Sequence, residues 1–239
     1  MDDEKARSSE ELIKQQARRA QEFLHVFAER IVDEVQPPSG VWDLTHNTTV
    51  TGAYAEQAVR ELVRRYVSPL HVSTGAVVDV SNEIGECVPQ LDTIIWAPCP
   101  VAAIYHRGDF AIVPRGSSFG VLEIKSSGSN IGGIEKQISD EVISRVTADA
   151  HPDEKAFFPG LGVVCVLDDE YLTTFNKLPV GRAVALFQRV GNEGKFEPRS
   201  DDIYRLVNFL SNVGFRARKW LDAQPFVPID LLQAPRINR

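Results

Sequence analysis

The chain has 239 residues, 43% of them hydrophobic and 25% charged, which suits one large α/β domain or a core of about 150 residues with a helical attachment. A net charge of -7 argues against broad, sequence-independent affinity for nucleic acid, although a local basic groove is compatible with an acidic exterior. No apolar run approaches the roughly 18 residues of a membrane span and the opening residues, Met1 to Lys5, are no secretory leader, so a cytoplasmic protein with no membrane partner is expected.

From about Glu4 to Val35 there is neither Pro nor Gly. Leu12, Ala17, Ala20, Phe23, Leu24, Phe27, Ile31 and Val35 recur near a three-to-four spacing. This predicts a long amphipathic N-terminal helix over residues 1–36, ended by Pro37, Pro38 and Gly40. Such a helix flanks a core, dimerises or docks to a partner, and the pattern does not choose among these. A second helix is expected from Gly52 to Val67, with Val59, Leu62, Val63 and Tyr66 as its apolar stripe. Glu56 lies on the inward side of that stripe, whereas Arg60, Arg64 and Arg65 are expected at its sides.

A strand-rich section follows. Val72 to Val80, Gln90 to Trp96 and Gly120 to Ile124 read as strands, the last two near the centre of a sheet. Ile104-Tyr105 and Phe110 to Val113 flank Arg107-Gly108-Asp109 as a hairpin. The small-residue stretch Ser126 to Gly133 leads into a helix ending near Val146. It lacks the spacing of a P-loop. Gly162 to Leu167 and Ala183 to Gln188 are further strands, and Asp202 to Val213 is a helix. Residues 148–160 and 189–201 read as loops. The three cysteines, Cys87, Cys99 and Cys165, fit neither a disulfide framework nor a zinc site. Cys165 reads as a small core residue.

Chemistry concentrates in the middle of the chain. On an extended strand Glu123 and Lys125 project from one face while Leu122 and Ile124 face the other. Asp92 sits within the apolar run Leu91 to Trp96, where a buried carboxylate needs a cation, a metal or several donors. Glu56 makes the same demand from its helix, unless an i,i+4 pair with Arg60 or a cap-like contact satisfies it. Three carboxylates with one lysine suit a hard cation, Mg²⁺ or Mn²⁺, that keeps part of its water shell. Such a cation acidifies water and offsets charge on a phosphate. Lys125 would orient that water, assist its deprotonation or stabilise the transition state.

The order helix Glu, strand Asp, then Glu-x-Lys on the next core strand resembles the PD-(D/E)xK nuclease superfamily, which includes restriction endonucleases and Mrr-like enzymes. The resemblance covers roughly residues 45 to 146 and rests on Glu56, Gln90-Leu91-Asp92 and Val121 to Ser127. No proline directly precedes Asp92; Pro89 is three residues earlier. The resemblance implies an α/β fold with a restriction-endonuclease-like core, a mixed and mostly four-stranded central sheet flanked by helices. That core would span residues 45–190, with a C-terminal helical extension over 191–239. It further implies Asp92 and Glu123 as metal ligands, the Ile124 carbonyl as another, Glu56 as the helix carboxylate that positions metal and water, and Lys125 as the catalytic lysine. Gln90 and Gln137 match polar positions beside the site in some relatives.

The expected activity is endonucleolytic hydrolysis of nucleic acid, DNA favoured over RNA, by metal-activated water. A duplex would call for two copies of the chain, and the resemblance points to bacterial defence proteins. The rivals are an inactive nucleic-acid-binding module on the same fold, and an interaction protein acting through the N-terminal helix. Trp42, Trp96 and Trp220 are candidates for base stacking, Trp96 more simply for the core. The five histidines are scattered and assemble no site.

Overall fold

The computed structural model describes residues 38–78, 88–99, 101–138, 159–179, 181–191 and 195–223, with scattered positions between 15 and 31. Its elements in chain order are α1 (Ser39–Thr45), α2 (Thr48–Val67), β1 (His71–Val78), β2 (Leu91–Trp96), β3 (Tyr105–Arg107), β4 (Phe110–Pro114), β5 (Ser118–Ser127), α3 (Ile131–Gln137), β6 (Gly160–Leu167), α4 (Asp169–Phe175), β7 (Ala183–Val190), β8 (Lys195–Pro198) and α5 (Ser200–Ala223). The eight strands form one sheet in the order β3-β4-β1-β2-β5-β6-β7-β8. β5, β6 and β7 run parallel, as do β1 and β4, and the other neighbours are antiparallel. The sheet is therefore mixed, as expected, but it is continuous. β6, β7 and β8 extend the central strands instead of decorating them. β6 is buried at every residue, the reason its sequence is uniformly apolar.

Each face of the sheet has its own core. On one, Val59, Leu62 and Val63 of α2 and Ile203, Leu206 and Leu210 of α5 pack over Leu122, Val163 and Val184. Ala28 and Ile31 join this core, so the helical residues 25–31 lie against the sheet domain. Phe23 remains exposed. On the other face, Ile131 and Ile134 of α3 and Phe175 of α4 cover Ile94, Trp96, Val121 and Val164. α3 seats so closely on β6 that a side chain at Gly162 would collide with the Ile134 methyl.

Several boundaries moved for local reasons. α2 begins a turn earlier than expected because Asn47 caps it, its side chain accepting from the Thr49 and Val50 N–H groups at 3.0 and 3.3 Å. α5 runs ten residues beyond Val213, and Val213 and Ala217 both enter the core. Within the span expected to be a loop, β8 pairs with β7 from Phe187–Pro198 to Val190–Lys195. β3 and β4 form the expected hairpin, turning at Gly108 with φ +58°. The rest of the expected N-terminal helix, Cys87, residues 139–146 of the expected helix after Gly133, and the chain after Ala223 fall outside the described residues. Cys165 is buried, and burial pushes its thiol up to about 12, as a core residue should be.

Candidate active site

The site begins with an irregularity in β2. Ser73 pairs with Ile94 and Gly75 with Leu91. One residue of β1, Thr74, thus spans the interval taken by two residues of β2, Asp92 and Thr93. This is a β-bulge, a device that re-aims side chains and is common beside active sites. It breaks strict alternation: Leu91 joins the same core as Ile94 and Trp96. Two groups fix it from the β1 side. The Thr74 hydroxyl donates to the Leu91 carbonyl at 2.9 Å. Gly75 adopts φ +140° and lies so close to Ala111 that any side chain would strike the Ala111 carbonyl oxygen; only glycine fits.

On its other edge β2 is in register with β5 as far as Thr93–Leu122. The next pair in that register is Asp92 opposite Glu123. Asp92 Oδ2 accepts the Ile124 N–H at 2.8 Å, so the carboxylate itself bridges the two strands at the bulge. Glu123 is 3% exposed and ion-paired with Lys125. Lys125 also donates to Gln137 Oε1 at 3.2 Å, which places the end of α3 beside the lysine. Burial first, and then the adjacent Asp92 carboxylate, push Glu123 up to about 7, with Lys125 pulling the other way. Two acids thus face one lysine in a largely dry place.

Glu56 approaches from α2. Burial and the Asp92 charge raise its pKa, while Arg60 opposes the rise. Its hydrogen-bond partner is Arg60, at 3.4 Å. Arg60, expected at the side of the helix, is buried, 7% exposed. Its guanidinium donates to the Asp92 carbonyl at 3.0 Å and to Gln57 Oε1 at 3.2 Å. Arg60 is therefore the internal cation that ties α2 to the bulge. Its place four residues after Glu56 fits their pairing, whereas its reach to the Asp92 carbonyl left no local mark in the sequence. Arg64 instead pairs with Asp109 at 2.6 Å. Gln90 is exposed.

The structure brings Asp92, Glu123, Lys125 and Gln137 together, and Glu56 lies within electrostatic reach of Asp92 and Lys125. Among the described residues, no group of three or more His, Cys, Asp or Glu side chains is gathered for a metal. The donor set is a pair of carboxylates with a nearby strand backbone. That set fits Mg²⁺, which is commonly held through one or two carboxylates and fills its remaining positions with water and phosphate oxygens. The raised pKa of Glu123 comes first from burial and then from the adjacent Asp92 charge, and a bound cation would offset both.

No family model matches the chain, and no curated protein matches it. Among solved structures, NucC of P. aeruginosa ATCC27853 in its cAAA-bound form is similar with a TM-score of 0.50 at 17% identity, covering 84% of this chain and 97% of that one. NucC of E. coli MS115-1, also cAAA-bound, gives a TM-score of 0.50 at 16% identity, covering 84% and 96%. The chain shares its fold with NucC. The shared architecture is the restriction-endonuclease-like one, a mixed sheet flanked by helices. It spans nearly the whole of each NucC chain, so it takes in more than the strands that hold the acidic pair.

Proposed function

We propose that this chain is a divalent-metal-dependent nuclease that hydrolyses phosphodiester bonds, in DNA before RNA. The observation that supports this best is the convergence of Asp92, Glu123 and Lys125 at the bulge of β2. Their order along the chain, together with Glu56 on the preceding helix, matches the PD-(D/E)xK pattern. Asp92, Glu123 and the Ile124 carbonyl would hold Mg²⁺ or Mn²⁺, and Glu56 would steady the surrounding water. When bound, the cation supplies charge neutralisation for the phosphate and a water of lowered pKa. The protein's own groups do the rest. Lys125, positioned by Glu123 and Gln137, presents its ammonium to the phosphate or to the attacking water. Arg60 holds the Asp92 backbone and Glu56 in place. One such site cuts one strand, so cutting a duplex calls for a pair of chains. The fold shared with NucC is compatible with a cytoplasmic defence role.

The test is incubation of the full chain with labelled single-stranded, duplex and supercoiled DNA and with RNA, in Mg²⁺, Mn²⁺ or EDTA. Cutting that needs the cation and disappears in Asp92→Ala is expected. A folded wild type inert on every substrate and cation would favour a non-catalytic binding module.

A further inference from the structure

Beyond Lys125 the end of β5 runs into a cleft of about 620 Å³, large enough for a nucleotide-sized ligand. Ser126 and Ser127, the two residues after Lys125, form one wall. Thr48 and Thr51 of α2 and Trp42 of α1 contribute another, and Arg189 and Phe196 come from β7 and β8. The parallel order of β5, β6 and β7 opens the cleft at their carboxyl ends, where open α/β sheets commonly bind ligands.

Three features decide what the cleft would take. First, Trp42 is 41% exposed, leaving indole surface available at the rim. Second, the charges are balanced against a phosphate. Arg189 Nε is 3.1 Å from Asp168 Oδ1, its guanidinium carbon lies 5.4 Å from the Phe196 ring centre, and Asp43 adds a further carboxylate to the lining. A lining without net positive charge, furnished with aromatic faces, hydroxyls and carboxylate acceptors, suits a base with N–H donors. Third, Ser127 is two strand rises from Lys125, about 7 Å, the span of one extended nucleotide.

We propose that this cleft receives an unpaired nucleobase next to the cut phosphate, stacked on Trp42, with its own phosphate left outside near Lys125. The proposal rests on the nuclease reading and refines it. A base within a duplex has both faces covered by its neighbours, so only a single-stranded, flipped or end-frayed base offers a face to the indole. The preferred substrate is accordingly one with unpaired nucleotides at the cut.

The experiment places the fluorescent base 2-aminopurine at successive positions of a short single-stranded oligonucleotide. Emission is read with the full-length protein in EDTA, and cutting of the same strands is read in Mg²⁺. Quenching is expected at one or two positions adjoining the cut. Trp42→Ala should abolish it and weaken binding about tenfold, while Trp42→Phe, which keeps a ring, should retain most of both. Circular dichroism of both variants separates this effect from misfolding. Equal quenching at every position, or quenching indifferent to Trp42→Ala, overturns the proposal. So does displacement of the strand by free adenosine monophosphate at low concentration, which would mark a site for a free nucleotide. Normal cutting without Trp42-dependent quenching removes this inference and leaves the nuclease reading standing. Trp42-dependent quenching without any cutting supports the cleft and removes the nuclease reading.

Discussion

Replacing Glu123 with Gln should stabilise the metal-free protein above neutral pH. The Glu123 carboxyl titrates at about 7 instead of the ordinary 4.5, because its anion is buried beside Asp92. A group whose folded-state pKa is raised contributes stability that is complete below the unfolded value, and that stability is lost as pH rises through the folded one. Wild type should therefore weaken from about pH 4.5 to just above 7, by an amount near 2.5 pKa steps, about 3 kcal/mol. Gln cannot ionise and escapes this loss. Lys125 loses its ion-pair partner in the variant, so the net gain falls to about 1–3 kcal/mol. For a chain of this size that is a rise in Tm of roughly 2–10 °C. Thermal unfolding in EDTA should show Glu123→Gln above wild type at pH 8.5 and level with it at pH 4. Adding Mg²⁺ should raise the wild type and leave the variant nearly unmoved. A variant less stable than wild type at pH 8.5 in EDTA would falsify the account of two crowded acids, since Glu123 would then be a net stabiliser through Lys125.

Arg60→Met removes a buried cation and strands Glu56 and the Asp92 carbonyl, so a loss of about 3 kcal/mol is expected. Denaturant unfolding checks this, and wild-type stability in the variant would mean that Arg60 does not tie α2 to the bulge. Gly75→Ala forces a side chain into the Ala111 carbonyl at φ +140° and should cost more than about 2 kcal/mol; an unchanged denaturation midpoint would contradict the close approach. Because metal-free Glu123 is largely protonated at pH 6, Mg²⁺ binding there should release close to one proton. Calorimetric enthalpies measured in buffers of different ionisation heat would then diverge at pH 6 and coincide at pH 8.5. Divergence of the same size at both pH values would point to another group.

The grouping of the charged side chains was more legible in the sequence than the architecture that positions it. Glu123 and Lys125 could be paired from strand periodicity alone, and Asp92 was conspicuous as a charge inside an apolar run. The bulge that turns Asp92 toward Glu123 left no such mark, because Leu91 to Trp96 reads as an unbroken strand and the cause lies at Gly75 and Ala111 on neighbouring strands. The burial of Arg60 was not legible, because an arginine beside an apolar stripe is ordinarily solvated. Its burial depends on the Asp92 carbonyl, 32 residues away in sequence. Asn47 could have been found as a cap from its place before Thr48, and α2 would then have been drawn from the correct residue. β8 was lost among Gly, Pro and charged residues, since half-exposed edge strands lack an apolar signature.

On the proposed reading, Asp92, Glu123 and Lys125 together cut phosphodiester bonds with a divalent cation. Single-turnover cleavage of the best substrate, comparing wild type with Lys125→Ala and Asp92→Asn at matched folded concentration, tests it most directly. The wild-type rate should vanish in EDTA and fall by about 10²–10⁴ in each variant. Cutting that persists in EDTA, or that survives loss of Lys125 and Asp92 at the wild-type rate, would place the activity elsewhere and contradict it.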